Sequence, residues 1–234
     1  MTRKWIAQGI LAALAALLLA PAAEASISTY NITAGTTMGG QPVSATATFT
    51  TSANDIQISL TNLQNNPTSV IQNLSDLAFT LSTGQTSGSL LSSSALERTV
   101  SGTGSFTDGA VVSTGWQLQT FGSGLRLYVL GTPIGPAHTL IGGPDAGNLY
   151  SNANSSIAGN GPHNPFITGT ATFDVQVLGV TVDSLVDSAT FSFGTAEGNN
   201  VLGVSGRVPV PSTLLLLGSG LSIVGAMSWR RRRR

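Results

Sequence analysis

Between residues 26 and 207 the chain alternates apolar and polar side chains with a period of two, and this constrains its fold more than any single motif. Val43-Ser-Ala-Thr-Ala-Thr-Phe49 and Asp55-Ile-Gln-Ile-Ser-Leu60 place every second side chain on one face, as a half-buried strand requires. The pattern returns in Leu77–Leu81, in Val111-Val112 leading to Trp116-Gln-Leu-Gln, and in Leu125–Leu130, Thr170–Val177 and Ala189–Phe193. Turn-forming clusters separate these runs at Ser52–Asp55, Ser82–Gly84, Gly102–Gly104, Gly122–Gly124 and Leu178-Gly179. Only Ser69 to Leu77 hints at a short helical turn. Strands with one apolar face must pack face to face, so the expected fold is all-β: an antiparallel β-sandwich of jelly-roll type, with a barrel as the alternative.

The two ends of the chain do not share this rhythm. At the N-terminus Arg3 and Lys4 precede an apolar run from Ile10 to Ala20, which stops at Pro21. Ala23-Glu24-Ala25 supplies the small-x-small pattern that a signal peptidase accepts, so cleavage between Ala25 and Ser26 is expected, with export by the Sec route. The run is too short for a stable membrane span. At the C-terminus Val208-Pro209-Val210-Pro211-Ser212 is followed by an uncharged apolar stretch to Trp229 and then by Arg230, Arg231, Arg232, Arg233 and Arg234. As a helix, Ser212 to Trp229 would be roughly 27 Å long, close to the ~30 Å hydrocarbon core of a bilayer. Pro211 fixes where that helix can begin, and the arginines should hold the C-terminus on the cytoplasmic side.

This tail resembles the PEP-CTERM sorting signal of Gram-negative bacteria, in which a Pro-x-Pro motif precedes a short apolar helix and a terminal arginine cluster. Here Val210 stands where the family pattern has Glu. The resemblance implies recognition and cutting near Pro209 to Ser212 by exosortase, a membrane transpeptidase-like enzyme. An inner-membrane precursor would then yield a protein of the cell surface, outer membrane or extracellular polymeric matrix. An ordinary C-terminal membrane anchor is the alternative. The domain plan is therefore a signal peptide over 1–25, a β-body over 26–207 and a sorting tail over 208–234.

Setting the ends aside changes the charge picture. The whole chain is formally neutral, but the body keeps only Arg98, Arg126 and Arg207 against nine acids, a net charge of −6. A mildly acidic body with no basic patch lacks the footprint of a nucleic-acid binder. Cysteine is absent, so the body must fold on its core without disulfide staples.

Catalytic patterns are missing from the body: it has no cysteine nucleophile, no Gly-x-Ser-x-Gly elbow and no phosphate-binding glycine loop. His138 and His163, the only histidines, fit neither a zinc helix nor a triad. The expectation is a non-catalytic protein without a cofactor. Between Gly131 and Pro165 a segment dense in Gly, Pro and Asn carries Asp145, Asn148 and Asn152, oxygen donors of the kind calcium favours, though in no recognised calcium-loop spacing. An ordinary solvated loop is the competing reading. The expected role is structural or adhesive, with signal peptidase and exosortase as processing partners. The alternative is a carbohydrate-binding module for extracellular polysaccharide, with Trp116, Tyr128 and Tyr150 as candidate ligand aromatics. Trp116 competes as a core residue.

Overall fold

The computed structural model describes residues 25–131, 138–159, 161, 163–196 and 199–206. Ala23, the apolar run from Ile10 to Ala20, Val208 to Ser212, the apolar tail and Arg230 to Arg234 lie outside the described residues. Among the described residues no helix is long and apolar enough to cross a membrane.

The first strands are β1 (Ser26–Asn31), a small ribbon of β2 (Thr37–Met38) and β3 (Gln41–Pro42), then β4 (Ala45–Ser52) and β5 (Asp55–Asn62). A short 3-10 turn, Val70–Gln72, leads into β6 (Leu74–Leu81). Next come β7 (Ser89–Val100), β8 (Phe106–Val112), β9 (Gln117–Phe121) and β10 (Gly124–Tyr128). The last are β11 (Leu140–Ile141), β12 (Phe166–Gln176), β13 (Val186–Phe193), β14 (Asn200–Leu202) and β15 (Val204–Ser205). Thirteen of these strands form one large, mostly antiparallel sheet.

That sheet has two limbs. One runs β15-β1-β4-β5-β12-β7-β8 and the other β14-β13-β6-β10-β9. The two-residue strand β11 joins them, pairing parallel with β12 at Ile167 and Thr168 and antiparallel with β6 at Leu74. The limbs press their apolar faces together. Phe49 of β4 meets Phe79 of β6 with ring centroids 5.2 Å apart, and the Tyr30 hydroxyl of β1 donates to the Val186 carbonyl of β13 at 2.8 Å. The result is sandwich-like, which is the coarse architecture the alternation predicts.

The period-two expectation holds residue by residue where it is clearest. In β4 the burial alternates without a break, Ala45, Ala47, Phe49 and Thr51 facing in and Thr46, Thr48, Thr50 and Ser52 lying nearer the solvent. A slip of one residue would turn Phe49 outward and Thr50 inward, so the buried face fixes the register. Each fully buried Phe or Leu on that face contributes roughly 1.5–3 kcal/mol.

Two expectations are modified. The helical turn is confined to Val70–Gln72, because Leu74 and Asp76 are already paired with Phe193 and Ser192 of β13. Val111 to Gln119 is not one strand: β8 ends at Val112, Gly115 takes a positive φ of 72°, and β9 begins at Gln117.

Candidate functional site

The outer face of the β14-β13-β6-β10-β9 limb carries a groove. It is made by side chains on alternate positions of five strands, so the period that fills the core on one side lines a concavity on the other. The tight turn Phe121-Gly122-Ser123-Gly124 builds one wall. Gly122 adopts φ 57°, which L side chains rarely take, and this lets β9 fold back onto β10 with Gly124 opposite Phe121. Gly124 also has no room for a side chain: a Cβ there would run into the Phe79 carbonyl.

Arg126 and Tyr128 of β10 face the groove, beside Asp76 and Ala78 of β6. The Arg126 guanidinium lies over two rings, 4.5 Å from the Phe121 centroid and 5.1 Å from that of Tyr128. Its Nε sits 3.3 Å from Asp76 Oδ2, and the side chains of the pair are only 12% and 10% exposed. The Gln119 carboxamide, turned with its oxygen to the guanidinium, accepts from Arg126 Nε and Nη2. The Tyr128 hydroxyl donates to Gln117 Oε1 at 3.1 Å. Arg126 is thus a planar cation held flat and neutralised by its carboxylate, whereas the Phe121 ring is 45% exposed and faces solvent.

The main depression encloses about 500 Å³ and also touches Ser192, Thr190 and Asn200. A second depression of about 210 Å³ shares Ala78, Phe121 and Thr190 with it, so the two are one continuous groove. At that end the Thr80 and Ser188 hydroxyls hydrogen-bond at 2.7 Å, and at the other Ser192 Oγ donates to Asn200 Oδ1 at 2.5 Å.

The aromatic residues singled out in the sequence separate. Tyr128 lies on the groove wall. Trp116 is 3% exposed; its indole N–H donates to the His138 carbonyl at 2.9 Å and its ring packs on Phe173 with centroids 5.4 Å apart. Tyr150 is 1% exposed and anchors a second, smaller core with Val100, Ile141, Ile157 and Phe166. Burial takes both rings out of reach of a surface ligand, which corrects the expectation that they form a binding platform. The aromatic that the sequence reading missed is Phe121. Its position beside a Gly-Ser-Gly hairpin turn, too close to the strand end for the core, was the available signal.

Tyr150 belongs to a polar cluster beneath the Gly131–Pro165 segment. Its hydroxyl donates to the Gly142 carbonyl at 2.8 Å and accepts from Arg98 Nη1 at 3.1 Å. Arg98 in turn grips both oxygens of Asp108 at 2.6 and 2.8 Å and lies 3.9 Å from the Phe106 ring centroid. The hydrogen bond from Arg98 holds the Asp108 carboxyl below its ordinary pKa, and burial raises the Tyr150 phenol above its own.

Asp145, Asn148 and Asn152 fall in one turn. Asp145 Oδ1 accepts the N–H groups of Gly147 and Leu149 at 2.9 and 3.0 Å, and Oδ2 accepts the Ser151 hydroxyl. These donors, the Ser151 hydroxyl foremost, hold the Asp145 carboxyl below its ordinary pKa. Asn148 sits at φ 61° with its N–H on the Asp145 carbonyl, and the Asn152 N–H donates to Asn66 Oδ1. Donors within the loop thus engage both oxygens of the Asp145 carboxylate. Ser26, on the downstream side of the predicted cleavage, is the first residue of β1, and its N–H donates to the Val182 carbonyl at 3.0 Å.

Fold and site together define an all-β protein with a groove of mixed aromatic and polar lining on its outer surface. No family model matches the chain, and neither the curated proteins nor the solved structures contain a match.

Proposed function

We propose that this is an exported, non-catalytic protein of the cell surface or extracellular matrix, freed of its signal peptide after Ala25 and sorted by its tail through exosortase cutting near Pro209 to Ser212. One observation supports the reading above others: paired strands begin at Ser26 and reach Ser205, next to the two predicted processing points. Strand β1 opens at Ser26 and pairs along its length with β4, while β15 closes the limb by pairing Ser205 and Val204 with Tyr30 and Asn31. Ser26 pairs with Thr51 and Ser205 with Tyr30, so the chain is held in the sheet directly beside each predicted processing point.

Intact-mass analysis of the protein recovered from the cell surface tests this. A chain running from Ser26 to a terminus between Pro209 and Ser212 is the expected result. A surface-exposed chain still ending at Arg234 would overturn exosortase processing in favour of a permanent anchor.

A second reading, a carbohydrate-binding module, is favoured by the groove on the β14-β13-β6-β10-β9 limb, where Tyr128 and an exposed Phe121 lie among hydroxyl, amide and ionic groups. Binding of any soluble polysaccharide to the purified protein would support it.

A further inference from the structure

The carbohydrate-binding reading leaves open which saccharides the groove takes, and the inference that follows rests on that reading. We infer that the groove binds a neutral polysaccharide chain, laid along β13 and β6, with one sugar stacked on Phe121 beside the Thr80–Ser188 pair and the chain running past Thr190 toward Asn200.

Shape argues for a chain rather than a single sugar. Ser188 and Ser192 lie four residues apart on β13, opposite Thr80 and Asp76 of β6, so at about 3.4 Å per residue the groove runs roughly 14 Å along the strands. Its polar groups sit at both ends, the Ser192–Asn200 pair at one beside Tyr128 and the Thr80–Ser188 pair at the other beside Phe121. Its volume falls in the usual ~300–1,000 Å³ range of ligand sites.

Electrostatics argues for a neutral chain. Among the described residues the one cation facing the groove, Arg126, lies 3.3 Å from the Asp76 carboxylate, so the pair adds no net charge to the floor. The body as a whole carries −6, a field that repels a polymer bearing a carboxylate on every sugar. A neutral hexose polymer meets neither obstacle. Its C–H faces suit the 45% exposed Phe121 ring, and its hydroxyls both donate and accept, as the groove's Asn, Ser and Thr side chains do. Arg126, held flat by two rings and a carboxylate, is a pre-ordered donor that loses little freedom when a sugar hydroxyl arrives.

The test uses the full chain in a detergent without a sugar headgroup. Dextran, a soluble β-glucan and a galactomannan are compared with alginate and hyaluronan by affinity electrophoresis and titration calorimetry. At least one neutral polymer should bind, with little change between 50 mM and 500 mM salt. Phe121→Ala should weaken that binding by about tenfold or more, Phe121→Trp should retain it, and both variants should keep the parent's circular dichroism spectrum and melting temperature. Salt-sensitive binding of alginate or hyaluronan alone would overturn the neutral-chain inference while leaving the carbohydrate-binding reading intact. Binding of none of the five polymers would overturn both. Neutral-polymer binding that Phe121→Ala leaves unchanged would overturn this groove as the site.

Discussion

Tyr150→Phe isolates one hydroxyl in the smaller core. The ring stays, so the packing against Phe106, with centroids 5.7 Å apart, and the buried apolar area are preserved. What is lost is the donation to the Gly142 carbonyl and the acceptance from Arg98. An ordinary hydrogen bond contributes about 1 kcal/mol and one to a charged group about 1.5–3 kcal/mol, so the loss comes to about 3 kcal/mol. For a body of this size each kcal/mol moves the melting temperature by roughly 2–4 °C, which predicts a drop of about 6–12 °C. Thermal unfolding followed by circular dichroism at pH 7 measures it. The alkaline limb gives a second readout. Burial raises the Tyr150 pKa in the folded state, so its contribution is fully present below the ordinary phenol pKa of about 10 and is lost as pH rises through the folded value. The variant should therefore lose less stability than the parent as pH rises above about 10. A melting temperature within about 1 °C of the parent, with an unchanged alkaline limb, would refute the claim that this hydroxyl ties the Gly131–Pro165 segment to Arg98.

Other outcomes follow from the same geometry. Gly124→Ala drives a methyl group into the Phe79 carbonyl, so β10 must part from β6; a destabilisation of several kcal/mol, about 3 or more, is expected in urea unfolding, with loss of the groove's Arg126–Phe121 contact. Asp55 carries a carboxyl whose pKa is raised first by burial and then by the hydrogen bond and charge of Asp174. Its contribution is present below the ordinary pKa of about 3.9 and lost as pH rises through the folded value, so Asp55→Asn should raise the melting temperature at pH 7 and leave it little changed near pH 3.

Much of the fold was legible because hairpins are local. The β4–β5 pair turns at Asn54, at φ 60°, inside the predicted Ser52–Asp55 cluster, and β9–β10 turns at the predicted Gly122–Gly124. Strand β7 was harder to see. Its Ser-rich first half, Ser89 to Ser94, carries only Leu90 and Leu91 as large apolar groups, and register shifts against β12 interrupt its alternation. Strands β1 and β15 gave little signal: β1 has only Ile27 and Tyr30 as large apolar groups, with Ile27 exposed, and β15 is two residues long, paired with Tyr30 and Asn31 far away in the chain.

The Gly131–Pro165 segment shows the limit from the other side. Its composition reads as a loop, and most of its described residues are outside strands, yet Tyr150 and Ile157 are fully buried within it. No periodicity announces such anchors, since single apolar residues that plug a satellite core need no regular spacing.

The sequence by itself determined the regularly alternating strands, their tight turns and the acidic, cysteine-free character of the body, because backbone preference, side-chain period and charge are properties of neighbours along the chain. The tertiary structure alone decided what covers the aromatic residues that lie outside clear alternation, and so separated Trp116 and Tyr150, buried at 3% and 1%, from Phe121 and Tyr128 in the groove. Asp76, Phe121, Arg126, Thr190 and Asn200 are brought together only because β13, β6 and β10 lie side by side. That adjacency depends on closing loops across more than a hundred residues, and the gain that offsets the closure entropy is the burial of two facing apolar surfaces that no local stretch of sequence contains.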